Sequence, residues 1–185
     1  MFKENRYIGG GRLYFTPVVN GVPGTEFEIG EIQSASLNFN VTTVDAFSNA
    51  NVMKVLVAKV VKDITSTIKF STQKIDLENT SMAMLGTSET ETFAIGDTLP
   101  DGTTATAETI VPVIKAGENP LIEGKLRFVG DEDGDTKPVL IIYNAVITPT
   151  SDMNYISDEF TKIEFEGAVL KTDDGYAKEY RMTVN

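Results

Sequence analysis

The sequence predicts a mainly β protein, an antiparallel β-sandwich or barrel with one short flanking α-helix. Apolar and polar residues alternate with period two along most of the chain, as in half-buried strands. Thr, Val, Ile and aromatic residues, which strands favour, are plentiful in these runs. With 185 residues, 41% of them hydrophobic, the chain is long enough for one domain with its own core. No second boundary is visible, so we predict a single domain over residues 1–185.

The clearest strand alternates Ala35, Leu37, Phe39 and Val41 with polar neighbours. Similar alternation covers residues 12–15, 64–71, 125–128, 162–169 and 179–184. A further strand, 139–147, is apolar on both faces. Its predicted faces are Val139, Ile141, Tyr143, Ala145 and Ile147 on one side, and Leu140, Ile142 and Val146 on the other. We therefore expect both of its faces to be covered by other parts of the protein or by a neighbouring subunit.

The one convincing helix lies in residues 76–86, DLENTSMAMLG. Asp76 or Asn79 can cap its start, and Gly86 can take the left-handed position after its end. A helix this short is unstable alone, so it must pack on a sheet. One helical turn is also expected at ISDEF, 156–160.

Two segments are predicted to be loops. Residues 42–53 are mostly polar with isolated apolar side chains, and residues 86–106 are rich in Gly, Thr and Ser. Two acidic stretches are predicted to be hairpin turns, centred on Asp133-Gly134 and Asp174-Gly175, because Asp-Gly suits the type I′ turn.

An alternative interpretation of the stretch GDEDGDTKP, residues 130–138, is a calcium-binding loop, since four acids fall within five positions. A helix-loop-helix calcium site needs acids at positions one, three and five, glycine at six and glutamate at twelve. Counting from Asp131, position six is Thr136 and position twelve is Ile142. The spacing favours the turn, and we predict no metal site.

Composition argues against an enzyme. The chain has no His and no Cys, which removes a serine triad, a thiolate nucleophile and the commonest metal ligand. Gly9–Gly11 lacks the helix and the Lys-Ser/Thr of a phosphate loop and is interpreted as a flexible joint. We predict no catalytic residues and no cofactor. A Ser-Lys pair stays open, although no motif supports it.

The charge balance argues against nucleic-acid binding. Acidic residues outnumber basic ones, 27 to 16, for a net charge of −11, and such a surface repels phosphates. No secretory signal is visible at the N-terminus. No membrane-spanning run is expected either, because the longest apolar-rich run, 52–61, is interrupted by Lys54 and Lys59.

Three segments together resemble the major tail tube proteins of tailed bacteriophages. The first, VVKDITSTIKFSTQKIDLENTSMAMLG, leads from a strand into the short helix and its terminal glycine. The second, EGKLRFVGDEDGDTKPVLIIYNAVITPT, is similar to a hairpin whose second strand is long and apolar. The third, SDMNYISDEFTKIEFEGAVL, is similar to the family's closing strand. The resemblance runs from about Val60 onward, whereas the N-terminal third fits loosely and residues 87–105 have no clear match.

The resemblance implies a β-sandwich of which six copies form a ring, with inner sheets joined into a barrel around a channel. Stacked rings would form the tail tube of the virion, through which DNA passes without specific binding. Implied partners are further copies of the chain, the tape-measure protein, and the tail terminator and tip proteins. The subunit would be made in the host cytoplasm. Alternatives are the tube of a contractile injection or secretion device and, in another class, a β-sandwich recognition or adhesin module.

Two sets of functional residues follow from this resemblance and from the residue pattern. Val44, Phe47 and Met53 are predicted to contact the next ring, because isolated apolar side chains on a polar loop otherwise stay uncovered. Glu164 and Glu166, on the polar face of their strand, are predicted to face the channel. The alternative is that these glutamates face bulk solvent outside the tube.

Overall fold

The computed structural model describes residues 9–48, 54–132 and 136–183. It confirms a mainly β fold, with 62% strand and one short helix, against roughly 20–25% strand in an average soluble domain. The strands are β1 Gly11–Val19, β2 Val22–Pro23, β3 Phe27–Glu28, β4 Ile32–Ser48, β5 Val55–Thr72, β6 Thr87–Phe93, β7 Thr109–Lys115, β8 Ile122–Gly130, β9 Thr136–Pro149, β10 Ile163–Val169 and β11 Ala177–Thr183. The helix α1 spans Leu77–Ala83.

In the described part of the chain, nine strands form one antiparallel sheet, in the order β2-β1-β8-β9-β10-β5-β4, with β3 added on β1. Both β10 and β11 pair with β9 on the side away from β8. β10 takes residues 145–149 of β9, and β11 takes residues 136–142. Strands β6 and β7 form a separate hairpin. The large sheet curls so that β1 and β4, near its two ends, line the same cleft.

The hydrophobic core lies inside this curl. Its buried members come from five strands, the helix and the segment before β4: Leu13, Phe15, Ile29, Ile68, Phe70, Met82, Ile122, Leu126, Ile142, Ala145, Ile147, Ile163, Phe165 and Val169. Phe70 of β5 and Phe165 of β10 stack with ring centroids 5.0 Å apart. The alternation read from the sequence therefore selects the buried face correctly in β1, β5, β8 and β10.

In β9 the predicted faces are wrong, because the strand contains a β-bulge. Gly124 pairs with Ala145, but Leu126 pairs with Ile142, so two residues of β9 oppose one residue of β8. The extra residue shifts the alternation. Ile142 and Ala145 consequently both point into the core, where they are 2% and 0% exposed.

The helix forms where predicted, and its N-cap is Asp76, whose carboxylate accepts a hydrogen bond from the backbone N–H of Asn79 at 2.8 Å. Its C-terminal signal was misassigned. Leu85 takes the left-handed conformation with φ of 49°, and the N–H of Gly86 donates to the carbonyl of Ser81 at 2.8 Å. Gly86 is instead required for space, because a Cβ there would lie 2.6 Å from the carbonyl oxygen of Lys115.

Both predicted loops contain strand. Residues 42–48 continue β4, and 87–93 form β6. Polar threonines lead to the loop prediction for both segments. Thr is nevertheless β-branched and favours extended backbone. Residues 94–108 lie between β6 and β7 without a named strand. At 156–160 the chain bends without a helical turn, and the hydroxyl of Ser157 accepts the N–H of Glu159 at 3.0 Å. Such local bonds compete with helix formation.

The Asp174-Gly175 turn is present, with Gly175 at φ of 100° and reciprocal backbone bonds to Thr172 at 3.0 Å. It does not make a hairpin, however. β10 and β11 run in the same direction along one edge of β9. The turn therefore connects two strands that follow one another along that edge and do not pair with each other. The Asp133-Gly134 turn lies outside the described residues.

Candidate functional site

The most distinctive surface is a hairpin that extends away from the body of the protein. Strands β4 and β5 pair from Ile32 and Thr72 out to Ser48 and Val55. β10 covers only the part of β5 from Ser66 to Thr72. We call residues 39–48 and 54–65 the arm. Eleven residues of β5 lie in it beyond β10 (Val55–Thr65), which at 3.3 Å per residue is roughly 35 Å.

The arm is rich in exposed apolar side chains. They are Phe39, Val41, Val44, Phe47, Val55, Leu56, Val57, Val60, Val61 and Ile64, each 44–61% exposed. Scattered exposed apolar residues are normal on proteins, whereas a contiguous set of this size marks a surface that another molecule covers.

Both faces of the arm are apolar. On the face continuous with the core, Val41 pairs with Ile64 and Phe47 pairs with Leu56; on the other face, Val44 pairs with Val60. Two register shifts leave β5 with one extra residue each: Lys62, between the pairs Thr42–Asp63 and Thr43–Val61, and Val57, between the pairs Ala46–Ala58 and Phe47–Leu56. A two-stranded ribbon is marginal on its own in water, so the arm is suited to packing against a partner on both sides.

Two of the three predicted ring-stacking residues lie in the arm. Val44 and Phe47 are each 55% exposed and point to opposite faces. Met53 lies outside the described residues. The sequence reading missed the valines of β5, although the apolar run of residues 52–61 is evident in the sequence. The lysines that interrupt and end the run, Lys54, Lys59 and Lys62, are the signal in the sequence that this segment is exposed.

The outer edge of β4 pairs with no described strand, and little protects it. From Ser34 to Ser48 the strand has no proline and a single charged residue, Asp45. Other edge strands carry the usual protection against pairing: Pro23 in β2, Pro112 in β7, and three charged residues in β11. The edge of β4 therefore has the composition of a strand that pairs with another chain.

Glu164 and Glu166 of β10 lie on the outer, polar face of the sheet beside β5. Ile163 and Phe165 of the same strand are buried on the opposite face. Lys162 contacts Glu164 at 2.6 Å and Lys69 contacts Glu166 at 3.0 Å. Small polar residues surround them, including Ser34, whose hydroxyl bonds that of Ser71 at 2.8 Å. The charges of the two glutamates and the two lysines sum to zero, so these four residues give the face no net charge.

A bidentate ion pair lies elsewhere on the body, between Arg127 and Glu26. Arg127 of β8 donates from Nε to Glu26 at 3.0 Å and lies 4.3 Å from the centre of the Tyr14 ring. The hydrogen bond from Arg127 lowers the pKa of Glu26. This pair ties the segment before β3 to the sheet. Each charge of this surface pair is neutralised by the other, so we interpret the pair as part of the fold and not as a binding site.

Within residues 9–48, 54–132 and 136–183, no group of three acidic side chains is arranged to hold a metal ion. Across that same part of the chain, no helix has the length and apolar character needed to cross a membrane.

Comparisons with known proteins leave the family open. The sequence matches no protein-family model, and it has no significant match among curated proteins.

Proposed function

We propose that the chain is a structural virion protein, six copies of which form a ring, and that stacked rings form the tail tube of a bacteriophage. The observation that carries the proposal is the arm, a long hairpin with apolar side chains on both faces and an unprotected strand edge. A surface of that kind is unfavourable in an isolated protein and is suited to self-assembly.

Ring formation uses the sheet edge. Pairing of β4 with a neighbouring copy satisfies backbone groups that the isolated chain leaves to water. When β4 contacts a different surface of the neighbouring copy, the contact is heterologous and closes into a ring when the rotation permits. The hexameric number comes from the resemblance to tail tube proteins.

The polar face of β4, β5 and β10 suits a channel wall. Ser34, Ser36 and Asn38 on β4 are small and uncharged, and the charged groups beside them are ion pairs. Such a wall offers few free cations to phosphates, and the whole chain has a net charge of −11, which disfavours specific DNA binding. In this arrangement the genome passes through the tube on its way into the host cell.

The tube of a contractile injection or secretion device remains the nearest alternative, because the same assembly surfaces serve it. A β-sandwich recognition or adhesin module is less well supported, since its exposed surface needs to fit one partner at one site. The arm is exposed apolar on both faces, which is typical of a repeating contact. The tape-measure, terminator and tip proteins are proposed partners of the assembled tube.

Electron microscopy of the purified protein over a range of concentrations tests the proposal. The expected result is six-fold rings and stacked tubes that grow with concentration. A matched control is Ala107→Cys, an exposed position outside the arm, which should assemble like the natural chain. Monomers at every concentration, with the fold intact by circular dichroism, would reject the tube.

A further inference from the structure

A second exposed apolar surface lies at the opposite end of the protein from the arm. We call residues 150–162, which connect β9 to β10, the end loop. Tyr155, Ile156 and Phe160 in this loop are 78%, 98% and 88% exposed. Ile156 and Phe160 are more exposed than any large apolar side chain of the arm. Their exposure is unexplained by the isolated chain.

The end loop has a defined shape at its base. The hydroxyl of Ser151 accepts the N–H of Glu164 at 2.9 Å, and the hydroxyl of Thr161 donates to the carbonyl of Asn154 at 3.0 Å. These bonds hold the two ends of the loop against the start of β10. Ile156 and Phe160 are exposed on this anchored loop, and the hydroxyl of Tyr155 lies 3.9 Å from the sulfur of Met84.

The pairing registers place the arm and the end loop at opposite ends of β5. Ile163, the first residue of β10, pairs with Thr72 at the last position of β5, and Gln73 borders the same depression as residues 157–160. The arm begins at the other end of β5, at Val55. Seventeen residue steps separate Val55 from Thr72, which is roughly 55 Å at 3.3 Å per residue.

Charge on the two surfaces is complementary. The arm carries Lys54, Lys59 and Lys62 against two aspartates, a net charge of +1 within a chain of net charge −11. The end loop carries three acids, Asp152, Asp158 and Glu159, against one lysine. That lysine, Lys162, contacts Glu164, and in the arm Lys59 lies 3.9 Å from Asp45. The comparison therefore rests on the net charges, +1 for the arm and −2 for the end loop (three acids and one lysine). Opposite charges steer the association of the two surfaces and disfavour contact between two arms.

We propose that the end loop is the receiving surface for the arm of a second copy of this chain. In this contact Tyr155, Ile156 and Phe160 pack against the apolar residues of the incoming arm, and the acids of the loop face its lysines. Because the two surfaces lie at opposite ends of one chain, the contact repeats head to tail without limit. The inference rests on the proposed tube, for which it supplies the axial contact between rings.

Cysteine cross-linking tests the contact directly, because the natural chain contains no cysteine. The variant carries Val60→Cys in the arm and Ser157→Cys in the end loop, and it is oxidised under assembly conditions and analysed on a denaturing gel. The two positions cannot react within one copy. Residues 60 and 72 alone are roughly 40 Å apart along β5, and a disulfide requires Cα atoms within about 7 Å.

The expected result is a ladder of trimers and longer species, since every copy reacts at both ends. Each single-cysteine variant should stop at dimers, and the control pair Val60→Cys with Ala107→Cys should give no ladder. Rings or tubes by microscopy without a ladder would overturn this inference and leave the tube standing. A ladder without rings would support the head-to-tail contact and reject the ring. A ladder from the control pair would also overturn the inference.

Charge reversal provides the second measurement. Asp158→Lys with Glu159→Lys should lower the yield of tubes at least tenfold while the monomer stays folded. Adding Lys59→Glu and Lys62→Glu in the same chain should recover most of that loss, because the charges are opposite again. Unchanged tube yield in the loop variant, or no recovery in the combined variant, would contradict the assigned contact.

Discussion

The near and far halves of the β4–β5 hairpin differ in environment far more than in sequence. In the near half, Ile68 and Phe70 are 3% and 2% exposed, because β10 pairs alongside and the curled sheet closes over them. In the far half, Val60 and Phe47 are 61% and 55% exposed. Apolar residues are frequent in both halves. The difference shows that a third strand decides burial, and no strand among the described residues pairs with the arm beside β4 and β5.

The largest expected effect is on the near half. Phe70→Ala removes a buried ring that stacks on Phe165, and it should lower the free energy of unfolding by about 3–5 kcal/mol. Phe47→Ala, the matched change in the arm, should alter it by less than about 0.5 kcal/mol. Urea unfolding of the monomers measures both. Equal losses would show that the arm is part of the core.

Assembly should give the reverse pattern. Phe47→Ser removes an apolar contact that the monomer leaves half exposed, so the monomer should stay folded while tube elongation falls about tenfold or more. Completing the burial of such a ring is worth about 1–2 kcal/mol, and the loss repeats in every copy of a ring. Light scattering and microscopy follow elongation. Tubes that form normally from this variant would exclude Phe47 from the contact.

Much of the body could be predicted from the sequence, because period-two alternation and burial agree in strands such as 64–71 and 162–169. The β9 faces could not, since the bulge opposite Lys125 depends on pairing with β8. Residues 42–48 of the arm are predicted as loop from the sequence because Thr42, Thr43 and Asp45 interrupt their apolar residues. The left-handed residue after the helix is Leu85. The sequence points instead to the adjacent Gly86, because glycine is the usual residue at that position.

A smaller effect is expected on the polar face. Glu166→Lys breaks the contact with Lys69 and adds net positive charge to the proposed channel wall. The fold should change little, because an exposed pair contributes about 0–1 kcal/mol. Tubes should form, and genome delivery should be slower because added cations bind phosphates. Delivery at the normal rate would place Glu166 outside the channel.

The smallest expected effect concerns Glu26 in the body. Its pKa is lowered by Arg127, so the pair stabilises the fold at neutral pH and loses that contribution as pH falls through the lowered pKa. Glu26→Gln should cost at most about 1 kcal/mol at pH 7, and the difference from the natural chain should vanish in acid. Urea unfolding at both pH values measures it. A difference that persists in acid would indicate lost packing.

Hydrogen exchange of β4, measured in dilute monomer and in assembled protein, shows whether a second copy covers the arm. Peptides covering 34–38 and the core strand β10 should be protected in the monomer, while peptides covering 39–48 should exchange quickly there. On assembly, the arm peptides should become protected by a large factor, and β10 should change little. Arm peptides that exchange at the same rate in both states would contradict the claim that a second copy covers the arm.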